Sequence, residues 1–419
     1  MSLTFSKQSV LNFCTLFLTF ICGLQWAEIN VVSLFLIWII QFCYIYMAFS
    51  VYDKNSLEAA DKSLLKLYLC WVFLSIIRGA LFYTLGNYWI WKSWIFGTFD
   101  VLLPSLLYIY SRPKILGGII KSWLKYSLLF FLCLLPFISR GAYHFYLGPL
   151  YIVAFFWSIY TKKWRTIILM LMLLMLTADM SARSQVIKTG VVLLASMGYI
   201  LRRYVSLSLL KFAHWVCYIA PIILLALGIT GTFNIFEDLA SNEGKYVETK
   251  IDKDGNKVED DLSADTRTFI FEEIISSAIN NNYVICGRTP ARGNDSEWFG
   301  SYNAEDLKTG LYERHSNETG LPSLFTWLGL IGLILISLIY LRSSYLAVYC
   351  SSNIFMKYLG CFVAFRWAYG WIEDMYSFSP MILSLFMIMG MCISKSFRNM
   401  NNEEMKNWLL SLVDFKKKK

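Results

Sequence analysis

The sequence is poor in charge. Asp, Glu, Lys and Arg make up 16% of its 419 residues, against about 25% in soluble domains, and the mean hydropathy is +0.51. That shortage argues against a soluble fold. Histidine is scarce as well, with only His144, His214 and His315. Of ten cysteines, most fall inside apolar runs and only Cys286 lies in the one long polar segment, so that segment cannot hold an internal disulfide. No cysteine or cysteine–histidine spacing suggests a zinc site. There is no internal repeat at fixed spacing, and no low-complexity tract beyond the Lys416–Lys419 tail. No small-residue cleavage site follows the first apolar run, whose only preceding charge is Lys7, so that run reads as a retained start-anchor.

What the chain does have is apolar runs of the ~20 residues needed to cross a bilayer. They fall near 10–28, 31–51, 64–85, 89–111, 117–139, 142–160, 165–181, 184–201, 212–231, 322–341, 354–372 and 376–394. The expected fold class is an all-α polytopic membrane protein of about twelve spans. Lysine and arginine alternate with the connectors: Lys54, Lys62 and Lys66, then Arg112, Lys114, Lys121 and Lys125, then Lys162, Lys163 and Arg165, then Arg202, Arg203 and Lys211, and finally the C-terminal tail. Arg140 is the main exception in the intervening loops. The positive-inside rule places both termini in the cytoplasm. The net charge of +9 then reflects topology, with anionic headgroups as its partner and no case for nucleic acid. Four regions follow: a membrane domain of nine helices over 1–231, a large extracytoplasmic loop over 232–321, three last spans over 322–394 and a basic cytoplasmic tail over 395–419.

The loop has parts. Residues 246–261 alternate around Lys253-Asp254-Gly255-Asn256, which favours a hairpin. The Asp252, Asp254 and Gly255 spacing hints at a calcium loop but lacks the distal glutamate. An amphipathic helix is expected from about Thr266 to Asn280, capped by Asp265, with Arg267, Phe271, Ile274 and Ala278 on one face. Trp408, Leu409, Leu412 and Phe415 predict a short helix lying on the inner leaflet.

Candidate chemistry gathers at one end of the chain's spans. His315, in Glu-Arg-His-Ser-Asn-Glu-Thr-Gly, reads either as a proton acceptor near its working pKa or as a cap on the entrance to the next helix. His214 reads as structural at headgroup level, and His144 as structural or cavity-lining. Arg183, four residues after Asp179, interrupts an apolar stretch; Arg267, Arg314, Arg288 and Arg292 lie on the same expected side. Guanidinium groups bind phosphate oxygens bidentately, so these arginines suit either a lipid-linked diphosphate or ion pairs that brace the loop. Arg78 and Arg366 lie deep enough to need partners, Asp100 being a candidate partner for Arg78.

Three stretches together resemble the O-antigen polymerase and O-antigen ligase superfamily of membrane glycosyltransferases. They are Thr177-Ala-Asp-Met-Ser-Ala-Arg-Ser; Asp265-Thr-Arg267 through Gly287; and His315-Ser-Asn-Glu-Thr-Gly running into Leu328-Gly-Leu-Ile-Gly332. The resemblance covers residues 175 to 340. Ser316 separates His315 from Asn317 where the family often has His-Asn adjacent, which puts the role of Asn317 in doubt.

The resemblance implies a metal-independent enzyme without cofactor in a bacterial inner membrane. It would transfer a glycan from undecaprenyl diphosphate to an acceptor hydroxyl, with Arg183, Arg267 and Arg314 on the diphosphate and Arg288 and Asn317 as further contacts. His315 would orient or deprotonate the acceptor, with Glu318 as a substitute base. Preorganised cations would stabilise the leaving group. Polymerases vary more in sequence and loop than ligases, which favours a repeat-unit polymerase for O-antigen, capsule or a related polysaccharide, working beside a chain-length regulator and a flippase. A ligase acting on lipid A core is the closest alternative, and a polysaccharide flippase the more distant one.

Overall fold

Apolar runs of bilayer length have one economical solution away from water, because a helix pairs every backbone donor and acceptor within itself. A computed structural model describes residues 6–50, 57–82, 87–180, 182–230, 247–251, 257–261 and 268–415, and it is built of helices joined to two short β-ribbons. In chain order come α1 (Lys7–Trp26), α2 (Leu34–Ser50), α3 (Ala59–Phe82), α4 (Tyr88–Leu102) and α5 (Pro113–Leu134). Then follow α6 (Lys162–Thr177), α7 (Arg183–Ile200) and α8 (Leu207–Ile229). After the polar segment, which holds α9 (Thr268–Asn280), come α10 (Gly320–Tyr349), α11 (Ile354–Tyr369), α12 (Pro380–Ile393) and α13 (Asn402–Leu412).

Among the described residues six helices are long and apolar enough to cross a membrane: α1, α3, α4 with its continuation to Tyr110, α5, α8 and α10. The shorter α2 and α12 are apolar too. Helix starts obey local chemistry. Ser6, Ser206, Asn353 and Ser379 each accept a first-turn backbone N–H, and Pro113 and Pro380 occupy first-turn positions where no donor is missed.

The run expected to span 142–160 is not one helix. It breaks into short pieces at 140–142, 143–147, 150–154 and 157–159, and Leu147 and Leu150 through Phe156 are buried on all sides. Pro149 removes a backbone donor there, and Gly148 lies where a side chain would strike the Met381 backbone. The segment is therefore the packed centre of the bundle, with Phe155 against Phe362 at 5.0 Å.

Two strands, β1 (Val247–Ile251) and β2 (Lys257–Asp261), pair antiparallel in the register Val247↔Asp261, as the alternation predicts; the turn lies outside the described residues. In α9, Ile270, Ile274 and Ala278 are buried, while the expected cap Asp265 and the stripe's Arg267 fall outside the described residues. The C-terminal α13 departs from expectation. Its apolar face meets protein rather than lipid: Met405, Leu409 and Leu412 are buried, Trp408 Nε1 donates to Pro113 O at 3.1 Å, and the Trp408 ring stands edge-on to Phe397.

The feature that positions the site is a break in α10. Gly329 adopts φ 67°, ψ −169°, which opens the helix roughly 14 Å below its first residue at 1.5 Å per residue. The backbone groups freed by the break are taken up by the segment that follows α9. Arg288 N and Thr289 N donate to Thr326 O and Trp327 O at 2.7 and 3.0 Å, and Leu330 N and Ile331 N donate to Val284 O and Ile285 O at 2.9 and 3.3 Å. Trp71 Nε1 on α3 caps Leu328 O at 2.9 Å. Irregular backbone at this depth is tolerable only when its polar groups are paired within protein.

Candidate functional site

The inserted segment 283–291 fits because glycines leave room for it. Gly287 has φ +72°, and a Cβ there would land on backbone atoms of Trp327 and Gly329. On α4 a Cβ at Gly97 would come 2.6 Å from Pro290 O, and on α3 one at Gly79 would come 3.0 Å from Thr289 Oγ1. Arg78 finds its partners here. Its guanidinium donates to Cys286 O at 3.0 Å and Gly287 O at 3.3 Å, which replaces the expected pairing with Asp100, because main-chain carbonyls reach it first.

Above this insertion lies a cleft of about 510 Å³ between α4 and residues 291–316. Trp89, Lys92, Phe96 and Asp100 line it from α4, and Phe299, Arg314 and His315 from the opposite wall. The short strands β3 (Asn294–Asp295) and β4 (Glu313–Arg314) pair antiparallel and set that wall. Gly293 permits the close approach, since a Cβ there would collide with the Arg314 carbonyl and His315 Cα.

His315 is half-buried and fixed on three sides. Its Nε2 lies 2.9 Å from Pro290 O, its own carbonyl accepts Trp327 Nε1 at 3.0 Å, and its ring packs on Trp327 with centroids 5.4 Å apart. A carbonyl can only accept, so Nε2 carries the hydrogen and Nδ1 is left as the proton-accepting nitrogen. Burial lowers the imidazole pKa from its ordinary value, against the opposing pull of the Pro290 carbonyl. Burial thus favours the neutral ring, the form a base needs. Arg314 lays its guanidinium 4.3 Å from the Phe299 ring centroid and sets Nη2 3.5 Å from Glu318 Oε1. Lys92 stands 4.8 Å over Trp89.

The other expected site residues are distributed differently. Arg288 is committed to structure: it donates to Gly293 O at 2.9 Å and Asp295 Oδ1 at 2.6 Å and pairs with Glu313 at 3.1 Å. Arg292 forks onto the same Glu313 through Nε at 2.8 Å and through Nη2. These two arginines brace the loop, the alternative the sequence left open. Asn317 is buried, donating Nδ2 to Asn294 Oδ1 at 2.7 Å and its N–H to Ser323 Oγ at 3.1 Å, so it joins β3 to the start of α10. Glu318 is well exposed beside Arg314. Arg183, exposed at the start of α7, is not among the cleft-lining residues, and Arg267 lies outside the described residues. Arg183 does belong to the same end of the bundle: its neighbour Ser184 hydrogen-bonds the Glu373 side chain, and Glu373 O accepts Gly320 N at 2.9 Å.

Below Arg183 is a charged cluster that sequence reasoning only half anticipated. Lys188 and Arg366, both almost fully buried, converge on Glu373; the Arg366 contact is 3.1 Å. Burial and the neighbouring Glu373 raise the pKa of Asp374 to about 7, despite an N–H from Tyr376 at 3.0 Å. Lys188 and Lys92 were hidden inside apolar runs, where an ionisable residue is itself the signal. His144 is buried against Gln185, Nδ1 to Oε1 at 3.1 Å, and His214 against Ser344 Oγ at 3.0 Å; neither lines the cleft. No protein-family model matches the chain, and comparison with curated proteins and with solved structures likewise yields no match.

Proposed function

We propose that this protein is a membrane-embedded glycosyltransferase that joins undecaprenyl-diphosphate-linked repeat units into O-antigen, capsule or a related surface polysaccharide. The observation that carries the reading is the cleft in which a neutral His315, with Nδ1 as its accepting nitrogen, stands beside Arg314 and faces Lys92 across the opening. A hydroxyl of the acceptor gives its proton to His315 as its oxygen bonds to the anomeric carbon. The bond from that carbon to the diphosphate oxygen breaks, and its electron pair leaves with the lipid diphosphate. Arg314 and Lys92 offer the positive charge this leaving group needs, and Arg183, at the same end of the bundle, is proposed as a further contact. Glu318 is the substitute base. The charge distribution of the connectors supports a topology of about twelve spans in a bacterial inner membrane, with both termini in the cytoplasm and the 232–321 loop outside. A chain-length regulator and a flippase are the expected partners.

Purified protein supplied with lipid-linked repeat units alone tests this. Growth of a ladder without lipid A core supports the polymerase, and dependence on that core moves the assignment to the ligase. His315→Ala is expected to slow lengthening by about 10²–10⁴-fold, the range of general-base catalysis, with lipid flipping intact. Unchanged lengthening in that variant would falsify the role given to His315.

A further inference from the structure

A second depression lies back to back with the cleft. Residues 311–314, which end in β4 (Glu313–Arg314), separate them. Leu311, Glu313 and Arg314 line the cleft, and Tyr312 lines the other side. There a groove of about 690 Å³, within the ~300–1,000 Å³ span of ligand pockets, runs between α9 and residues 295–301. Its α9 wall is Phe269, Glu272, Ser276 and Asn280, spaced three, four and four apart on the face opposite the buried stripe. Its other wall is Trp298, with Tyr312 closing one end; both rings are well exposed, Trp298 at 71%.

The chemistry of these walls selects a ligand class. Among the described residues no lysine, arginine or histidine lines the groove, whereas Glu272, Glu273, Asp295 and Glu297 do. A phosphate or a uronic acid would be repelled. A bound metal is disfavoured on geometry, because among the described residues no three Asp, Glu, His or Cys side chains converge. Two of the carboxylates are already employed. Glu273 accepts Ser296 Oγ and the N–H groups of Glu297 and Trp298 at 2.7–3.0 Å, shaping the loop that presents Trp298, while Asp295 holds Arg288 and Asn281. Glu272 and Glu297 make no ion pair among the described residues and face the opening together with the hydroxyls of Ser276 and Ser301 and the amide of Asn280. Acceptors that bind hydroxyl donors, arrayed beside aromatic faces that rest on the weakly positive C–H face of a pyranose ring, are what a neutral sugar needs.

The geometry points to a carbohydrate-binding subsite between α9 and residues 295–301, built for uncharged hexose or N-acetylhexosamine units. That the bound sugar is part of the chain being lengthened rests on the transferase reading; the sugar chemistry of the groove does not. Tyr312 in the groove stands three residues before His315 in the cleft, so a glycan held here would keep its end near the cleft.

The test uses the full-length protein in detergent micelles on a printed array of neutral and uronate-containing oligosaccharides, with saturation-transfer NMR on the best binder. The wild type is expected to retain neutral oligosaccharides in preference to uronates. Trp298→Ala should weaken binding tenfold or more, Trp298→Phe should stay within about threefold, and His315→Ala should bind as the wild type does; tenfold corresponds to 1.4 kcal/mol. Thermal melting of each variant separates a lost groove from a lost fold. An array on which the wild type holds no neutral glycan, or a Trp298→Ala protein that melts normally and binds as the wild type, overturns the subsite. Glycan binding without chain lengthening would preserve the groove and remove the polymerase reading, and lengthening without glycan binding would do the reverse.

Discussion

Asp374 follows directly on Glu373, the carboxylate that holds both Lys188 and Arg366, and makes no ion pair of its own among the described residues. Its carboxyl is pushed from 3.8 to about 7, first by burial and then by Glu373. A carboxyl pKa higher in the folded than in the unfolded protein means that the folded state binds more protons between those two values. Stability from this group therefore falls as pH rises from about 4 to about 7 and levels off above. His315 acts with the opposite sign. Its folded pKa lies below 6.5, so stability is lost as pH falls beneath that value. Asp374→Asn should remove the first slope, so that in melting profiles in detergent between pH 4 and 7 the variant loses less stability with rising pH than the wild-type protein does. Parallel profiles for the Asp374→Asn variant and the wild-type protein would refute the assignment. At this scale the sequence revealed His315 and Arg314 through their position before an apolar run. It concealed Lys92 and Lys188, because hydropathy averaging absorbs one ammonium in a run of leucines and aromatics. Arg288 and Arg292 matched the expected residue type, yet Glu313, three-dimensionally between them, claims both.

Among elements, the break in α10 has the clearest mechanical test. Gly329 and Gly287 both have positive φ, a conformation costing other L-residues about 1–2 kcal/mol, and a Cβ at Gly329 would also strike the Ile285 carbonyl. Gly329→Ala should lower the melting temperature by several degrees, well beyond that conformational cost. Gly190→Ala on α7 is the control, since a Cβ there meets nothing and gains helix propensity of about 0.5–1 kcal/mol. If both variants melt alike, the inserted segment is not the tight wedge described. Helix locations were legible because a twenty-residue apolar run has few alternatives to a helix. The exchange between 283–289 and 326–331 was not, because it pairs segments some forty residues apart through main-chain atoms, which leave no side-chain pattern. Two glycines were its only trace. The fate of α13 was similarly hidden: an amphipathic helix looks the same whether lipid or the start of α5 covers its face.

For the whole molecule, ion pairs concentrate at both ends of the helices. At the end remote from the cleft, Arg398 binds Glu58 and Arg342 binds Asp61, each at 2.7 Å, tying the C-terminal region and α10 to the start of α3. The basic connectors of the sequence share this end, which the charge rule assigns to the cytoplasm. Sidedness can be read with a membrane-impermeant maleimide on intact cells, after the ten native cysteines are replaced. Glu297→Cys, exposed beside the groove, should label at once, and Asn407→Cys, exposed on α13, only after permeabilisation. The reverse pattern would turn the molecule over and place the cleft where no outward-facing polymer could be built.

The opened turn at Gly329 also bears on biosynthesis. Residues 283–289 leave the ribosome before the carbonyls and amides of 326–331 that receive them exist. A nascent chain shorter than that has residues 283–289 without a berth. The cradle for His315 closes only once the tenth helix has been threaded, so membrane insertion late in translation is the act that completes the pocket.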